Sequence, residues 1–301
     1  MIVKIRMNDD QYDQLKSHLL NSDGKEAVAI VLCGRRISES IHCLSIREIH
    51  PIPYGDCEIR GSELLCWKTS LLENLLPKAM KDGMAIVKIH SHPSGYAEFS
   101  VTDDASDRDI FGSIYGWIDD DYPHASMVML PDGKMFGRYI DPQGSFHPLD
   151  LISVVGDNIH YWHPDPERGV LPEFTIRNTQ AFGMGTTQLL NRLSVAVVGC
   201  SGTGSPVIEQ LVRLGVQKLV LVDPDPIEEK NLNRILNSRM SDVTEERYKV
   251  DILDSAIKQM GLGTKVEAIP ENICTARAVK AVAECDIIFG CMDGSEGRHL
   301  L

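Results

Sequence analysis

The sequence predicts an α/β chain of two domains, the first α+β and the second doubly wound around a parallel sheet. Two observations carry that expectation. From about residue 174 onward, short apolar runs alternate strictly with amphipathic stretches, the rhythm of a parallel sheet with crossover helices. Before that point strand-like and helix-like patterns are mixed, as in α+β or three-layer domains. At 301 residues the chain has room for both, since domains commonly run to roughly 100–200 residues.

In the first half, Val28–Cys33 reads as a buried strand ended by Gly34, Cys43–Pro51 as a second strand and Leu64–Asp82 as an amphipathic helix. Met84–Ile89 reads as a third strand, Asp103–Tyr115 as a helix and His124–Leu130 as a strand before the turn Pro131–Gly133. The stretch from Trp162 to Glu173 holds three prolines and a glycine with little periodicity, which reads as a linker. The domains are therefore expected at 1–160 and 174–301, joined by a linker at 161–173. In the second domain, strands at Ser194–Val198, Lys218–Val222, Val266–Ile269 and Asp286–Gly290 alternate with helices at Ser205–Leu214, Glu245–Met260 and Arg277–Ala283. A further helix is beginning at Gly297–Leu301, so this domain reads as the N-terminal part of a longer one, its sheet unfinished.

Hydrophobic content of 43% and charged content of 24% are ordinary for a soluble globular protein. A formal charge of −13 argues against a general nucleic-acid binder, which needs a basic footprint. Apolar runs such as Val195–Val198 are too short to span a bilayer, and the N-terminus shows no apolar signal region, so a cytoplasmic location is expected. None of the eight cysteines forms a CxxC pair, which fits reduced, partly buried thiols better than a zinc ribbon.

Within Lys88–Asp103, His90 and His92 stand two residues apart at the end of an apolar strand, so both imidazoles share a face. Pro93 ends the strand; Ser100 or Thr102 can cap a following helix, with Asp103 in its first turn. Two imidazoles and a carboxylate are the usual protein share of a catalytic zinc. A bare HxH reads more simply as two strand-end histidines beside a capping acid. The longer pattern, HxHP followed after six residues by SxxD, resembles the JAMM motif of JAB/MPN metallopeptidases, a family with a cytidine-deaminase-like fold. The resemblance implies that His90, His92 and Asp103 bind Zn²⁺, that Glu26 is the general base, and that Ser100 hydrogen-bonds the catalytic water or the developing oxyanion. Glu39 and Glu48 are weaker candidates for the base, because they sit beside or inside the second strand, and Asp104 would point elsewhere on its helix.

The second constellation is Val195–Pro206, a strand, a glycine-rich turn and a helix start. Gly199, Gly202 and Gly204 would let the backbone approach a phosphate at the helix N-terminus, as in any Rossmann unit. What separates the readings is Asp223–Arg234, where Asn231 and Arg234 follow the acid that ends the next strand. A nicotinamide enzyme has no need for that Asn-x-x-Arg. The stretch looks like the E1/ThiF family of activating enzymes, and Arg177, Lys249 and Asp293 match further family positions. The resemblance implies ATP and Mg²⁺: Asp223 on the ribose, Asn231, Arg234 and Lys249 on phosphates, Asp293 on Mg²⁺, and Arg177 reaching into a second subunit of a homodimer. Ser201 and Asn178 depart from the family pattern, and Cys200 and Cys291 read as structural rather than thioester-forming.

Together the resemblances imply a zinc (iso)peptidase that trims or deconjugates a ubiquitin-like protein, fused to an adenylating domain that activates its C-terminal glycine, with an E2-like protein as a further partner. Two alternatives stand beside it. One is a metallopeptidase whose Rossmann half serves dimerisation or docking; the other is a non-catalytic MPN-type scaffold, against which the complete ligand set counts.

Overall fold

The computed structural model describes residues 1–39, 41–164 and 171–301. The chain divides into two units, Met1–Pro166 and Glu167–Leu301.

The first unit opens with a strand the sequence reading passed over. In β1 (Ile2–Asn8) Val3, Ile5 and Met7 alternate into the core, and Asn8 then begins α1 (Asp9–Leu19) through a capping box with Gln11. There follow β2 (Val28–Ile37), β3 (Ile41–Pro51), a hairpin of β4 (Cys57–Arg60) and β5 (Leu65–Trp67), α2 (Ser70–Asp82), β6 (Ala85–Ser91) and α3 (Val101–Trp117). Four strands and a last short one complete the unit: β7 (His124–Met129), β8 (Met135–Ile140), β9 (Phe146–Pro148), β10 (Leu151–Val155) and β11 (His160–Trp162). Nine of these strands form one mixed sheet in the order β11-β10-β1-β3-β2-β6-β7-β8-β9.

Both faces of the sheet are covered, and β2 shows why its sequence is an unbroken apolar run. Ala29, Val31 and Cys33 enter one core with Tyr12, Leu15 and Leu19 of α1, whereas Val28, Ile30 and Leu32 enter a second with Leu72 and Leu76 of α2 and Phe111 and Ile114 of α3. Each fully buried Leu, Ile or Phe contributes about 1.5–3 kcal/mol relative to exposure.

Three expectations are corrected here. The strand expected to stop at Gly34 runs on to Ile37, because Gly34 pairs with Ser45 and leaves room for the Arg47 side chain, 3.1 Å from where a Cβ would stand. The helix expected over Leu64–Asp82 begins only at Ser70; Leu65–Trp67 instead pairs with Cys57–Arg60, and Thr69 Oγ1 binds Glu73 at the helix start. The first positions of the expected linker at 161–173 belong to β11, paired with β10, while residues 165–170 lie outside the described residues.

A buried basic cluster crosses the first sheet. The Arg35 guanidinium lies 3.4 Å from the Nε2 atoms of both His42 and His124, and His124 Nδ1 accepts from the Ile86 N–H at 2.9 Å. Burial and the Arg35 charge push His42 down to about 4 and hold His124 well below its ordinary range. Unfolded histidines take up protons near pH 6.5, so the unfolded chain binds more protons between pH 6.5 and 4, and stability falls as pH falls through that window. After allowance for solvent screening His42 contributes on the order of 1–2 kcal/mol of this loss. The thermal midpoint of the first unit is expected to drop by several degrees from pH 7 to pH 4.5, and to drop less in His42→Gln; an equally steep profile in the variant would refute the assignment.

In the second unit the β–α rhythm holds: α4 (Ile176–Phe182), α5 (Met184–Leu190), β12 (Ser194–Val198), α6 (Gly204–Arg213), β13 (Lys218–Val222), α7 (Met240–Thr244), α8 (Lys249–Met260), β14 (Lys265–Ile269), α9 (Ala276–Ala283), β15 (Ile287–Gly290) and α10 (Ser295–Leu300). The four strands are parallel in the order β14-β13-β12-β15, so the winding reverses between β12 and β15, the place where doubly wound sheets bind ligands. The helix expected over Glu245–Met260 begins only at Lys249, since Glu246 sits at φ +51° and ends the turn that follows α7. Among the described residues no helix is long and apolar enough to cross a membrane.

Candidate functional site

Strand β6 is buried along its whole length between β2 and β7, and its end carries the first site. His90 and His92 project from the same face, as their two-residue spacing requires, with ring centroids 4.9 Å apart. A loop then leads to Ser100, the N-cap of α3: its Oγ accepts from the Asp103 N–H at 3.1 Å, and Asp103 Oδ2 accepts from the Ser100 N–H and Oγ–H, both at 2.7 Å. This box turns the other oxygen of Asp103, Oδ1, towards His90 and leaves Oδ2 beside His92. His90 Nε2 lies 3.0 Å from His92 Nε2 and 3.0 Å from Asp103 Oδ1, and His92 Nε2 lies 3.4 Å from Asp103 Oδ2.

Those separations match the edges of a small coordination polyhedron. Ligands bound at 2.0–2.1 Å in a tetrahedron stand about 3.3 Å apart. The protonation pattern fits as well. His92 Nδ1 donates to the Tyr96 carbonyl at 2.7 Å, which turns Nε2 to the site. Against burial, the bonds to Asp103 and Tyr96 raise this histidine above its ordinary value, and Nε2 is the atom that an ion would take in place of its proton. Two Nε2 atoms facing each other at 3.0 Å cannot both carry a proton, and burial holds His90 neutral despite the pull of Asp103. Burial alone would raise the Asp103 carboxyl, but hydrogen bonds to His90, His92 and Ser100 keep it far below the usual range and ionised. The three donors could hold one divalent ion.

Glu26 stands immediately before β2, and its N–H donates to the Gly61 carbonyl at 2.7 Å, which fastens the β4–β5 hairpin beside it. Glu26, Glu63, Leu65, Trp67, His90 and Asp103 line one cavity. Burial pushes the Glu26 carboxyl up to about 7. Of the weaker candidates, Glu48 is engaged with Lys78 and His50, and Asp104 with Arg138. Ser100 lines the same cavity, and in this structure its hydroxyl is donated to Asp103. Sequence reasoning also missed Tyr96, whose contribution is a backbone carbonyl, and the hairpin, whose apolar half had merged with the next helix.

The glycine turn after β12 is built around a carboxylate. Gly199 takes φ +94°, and Asp223 at the end of β13 accepts from the Cys200 N–H at 2.7 Å, closing the turn. Lys249 at the start of α8 neutralises that buried acid at 3.6 Å and binds Asp225 at 2.7 Å. The Arg234 stem packs over Gly202, within 3.0 Å of a Cβ position there, while its Nη1 donates to the Lys230 carbonyl. Asn231 is buried in its own loop, accepting from the Glu228 N–H at 3.0 Å. Asp293 is exposed on the loop after β15, whose Cys291 backbone packs against Gly199. Arg177 is exposed on α4 and bonded to Gln180, so the chain by itself does not bring it to the turn.

A model of the prokaryotic homologs of the JAB domain matches residues 9–139, and a model of the ThiF family matches residues 175–301. The chain joins a JAB-type domain to a ThiF-family domain. The chain is 30% identical over 122 residues to the adenylyltransferase and sulfurtransferase UBA4 of Meyerozyma guilliermondii, covering 40% of this chain and 28% of that protein. It is also 30% identical over 112 residues to the sulfur carrier protein adenylyltransferase of Thermus thermophilus, covering 37% of this chain and 41% of that one. The chain thus spans well under half the length of these curated relatives. Among solved structures it is similar to the E. coli tRNA N6-threonylcarbamoyladenosine dehydratase TcdA in complex with ATP, at 21% identity and a TM-score of 0.40, over 44% of this chain and 56% of that one.

In the ThiF-family domain one glycine is fixed by space alone. A Cβ on Gly204 would stand 1.8 Å from the Gly199 carbonyl oxygen, a backbone atom that cannot move without opening the turn. Gly204→Ala is expected to lower the thermal midpoint of this domain by roughly 5–10 °C, the effect of about 1–3 kcal/mol of overpacking. A midpoint within a degree of wild type, read by calorimetry, would show the turn to be looser than described.

Proposed function

We propose that the JAB-type domain is a zinc-dependent (iso)peptidase acting on a ubiquitin-like or sulfur-carrier protein, and that the ThiF-family domain adenylates the C-terminal glycine of that same partner with ATP and Mg²⁺. The observation that carries the first half is the convergence of His90, His92 and Asp103 beside a buried Glu26. His90, His92 and Asp103 would hold the ion. Bound there, zinc would supply a Lewis acid and an acidified water. Glu26, poised near neutrality, takes a proton and returns it to the leaving amine. Ser100 keeps Asp103 aimed at the histidines.

The second half of the proposal rests on the ThiF-family match and on relatives named as adenylyltransferases. Lys249 and Arg234 border the glycine turn with positive charge, and Asp293 lies on the adjoining loop as the Mg²⁺ ligand. Asn231 would join them once ATP draws its amide out of its present bond. Arg177, free of the turn in one chain, would act in the site of a second copy. Both activities meet on one substrate class, because a peptidase that exposes a terminal glycine makes the carboxylate that an adenylating enzyme attacks ATP with. An E2-like protein would then receive the activated product, in a cytoplasmic setting.

The test is direct. The zinc-loaded chain should cleave a linear fusion after the terminal glycine of its partner, and the chain with that partner should catalyse ATP–pyrophosphate exchange. Cleavage without exchange would leave a metallopeptidase whose second domain only docks; exchange without cleavage would refute the peptidase reading.

A further inference from the structure

One charged residue interrupts the apolar strand Ala85–Ser91, and it is Lys88. Its side chain is 4% exposed, and its ammonium pairs with Asp107, which is fully buried. Asp107 lies on α3 four residues after Asp103, and Lys88 lies on β6 two residues before His90. Both spacings keep a residue on the same face of its element. The two contacts between β6 and α3, His90 with Asp103 and Lys88 with Asp107, are therefore successive rungs of one ladder. The rise matches: two strand residues advance about 6.6 Å and four helix residues about 6 Å.

Lys88 also borders the cavity shared by Glu26, His90 and Asp103, but a cation there opposes a bound metal ion, and its ammonium is taken up by Asp107. Its partner is also charge-compensated from the other side, since Asp107 Oδ2 accepts from Arg138 Nη2 at 2.7 Å and Nε at 3.2 Å. Arg138 reaches Asp104 as well, and its guanidinium lies between the rings of Phe99 and Phe146, 3.8 and 3.7 Å from their centroids. Asp107 therefore has a cationic partner on β8 that it shares with Asp104, and the second cation, buried on β6, adds a tie to a different strand. Removing two ions from water is costly, and buried pairs are best attested as devices that fix registry.

Resting on the proposed metal site, we infer that Lys88 and Asp107 are positioning residues for the ion: their pair sets the register of α3 against β6, so that Asp103 meets His90 and His92 at coordinating distance. A one-turn slip or a tilt of α3 would part the carboxylate from the imidazoles.

Lys88→Met tests this without stranding a charge, because Asp107 keeps Arg138. Zinc affinity, measured by competition with a chromophoric chelator on the full chain, is expected to fall 10–100-fold, as for other groups that orient metal ligands, while the thermal midpoint of metal-free protein moves by only a few degrees. Arg138→Met cuts the tie to β8 and keeps the rung, so it is expected to lose midpoint but hold zinc affinity within about threefold of wild type. Wild-type affinity in Lys88→Met, or an equal loss in both variants, overturns the inference. Should Lys88→Met fail to fold, Lys88→Gln keeps a polar group in the strand but is one atom too short and uncharged, so it loses the ion pair, and unchanged affinity in it overturns the inference equally. Wild-type protein that binds no zinc, like a His92→Ala control, defeats the metal reading. The register is then read alone from amide exchange at Asp103 and Asp104 in metal-free protein: faster exchange in Lys88→Met supports the rung, and unchanged exchange refutes it.

Discussion

Glu26→Gln is expected to keep a full complement of zinc and to lose at least 10³-fold in turnover on a linear ubiquitin-like fusion. General acid–base groups contribute about 10²–10⁴-fold, and of the two glutamates that share a cavity with His90, Ser100 and Asp103, Glu26 is the buried one and Glu63 the exposed one. The amide has the same shape but cannot take a proton. The variant also carries a signature that no loss of fold would imitate. Burial raises the Glu26 carboxyl to about 7, above its ordinary range near 4.3. The folded chain therefore holds a proton that the unfolded chain releases, and stability falls as pH rises between those values. Glutamine removes that penalty. Its thermal midpoint in metal-free protein should match wild type at pH 4 and exceed it at pH 8. On the acidic side, wild-type turnover should rise with pH as Glu26 ionises. Wild-type turnover in Glu26→Gln, or a wild-type midpoint at both pH values, would remove Glu26 from the site.

Arg234→Ala is expected to cut ATP–pyrophosphate exchange by roughly 10²–10³-fold while leaving the thermal midpoint within about two degrees of wild type. The side chain is exposed, and its stem touches only the glycine turn and its own loop, so its removal leaves no buried group without a partner. Loss of one preorganised donor at a developing anion costs about 2.7–4 kcal/mol. Lys249→Ala should behave differently. Lys249 is the cation beside buried Asp223, which itself holds the Cys200 N–H; without it the acid is left uncompensated, at a cost of about 3–5 kcal/mol. Exchange and stability should therefore fall together in Lys249→Ala and separately in Arg234→Ala. Equal exchange in Arg234→Ala and wild type would take Arg234 out of the nucleotide site.

How far such sites can be read before any fold is known depends on whether their parts share an element. His90 and His92 share a strand, and Ser100 and Asp103 share a helix turn, so spacing alone aligns each pair. Three of the four parallel strands of the ThiF-family domain were legible for the same reason: β12, β13 and β15 are short apolar runs closed by glycine or acid, and β12 and β13 begin and end where the pattern says. The hairpin beside Glu26 was not. Leu65–Trp67 is apolar and runs straight into the amphipathic helix at Ser70, and only its pairing with Cys57–Arg60 makes it a strand. The ladder of Lys88 with Asp107 is likewise invisible to spacing, since nothing local ties position 88 to position 107. A lysine inside Ala-Ile-Val-Lys-Ile-His was the one available hint. For Ser100 the place in the motif was evident from spacing, but which way its hydroxyl turns in this structure is set by the capping box.

The Tyr96 carbonyl that receives the His92 Nδ1 proton has an effect on mutational screens. The acceptor is main chain, so every residue type except one that bends the loop delivers it equally well. Alanine scanning will pass over position 96 as tolerant, and variation there will look neutral. Insertions or deletions between Pro93 and Phe99, which leave each named ligand intact, should be far more damaging than any replacement of the tyrosine ring.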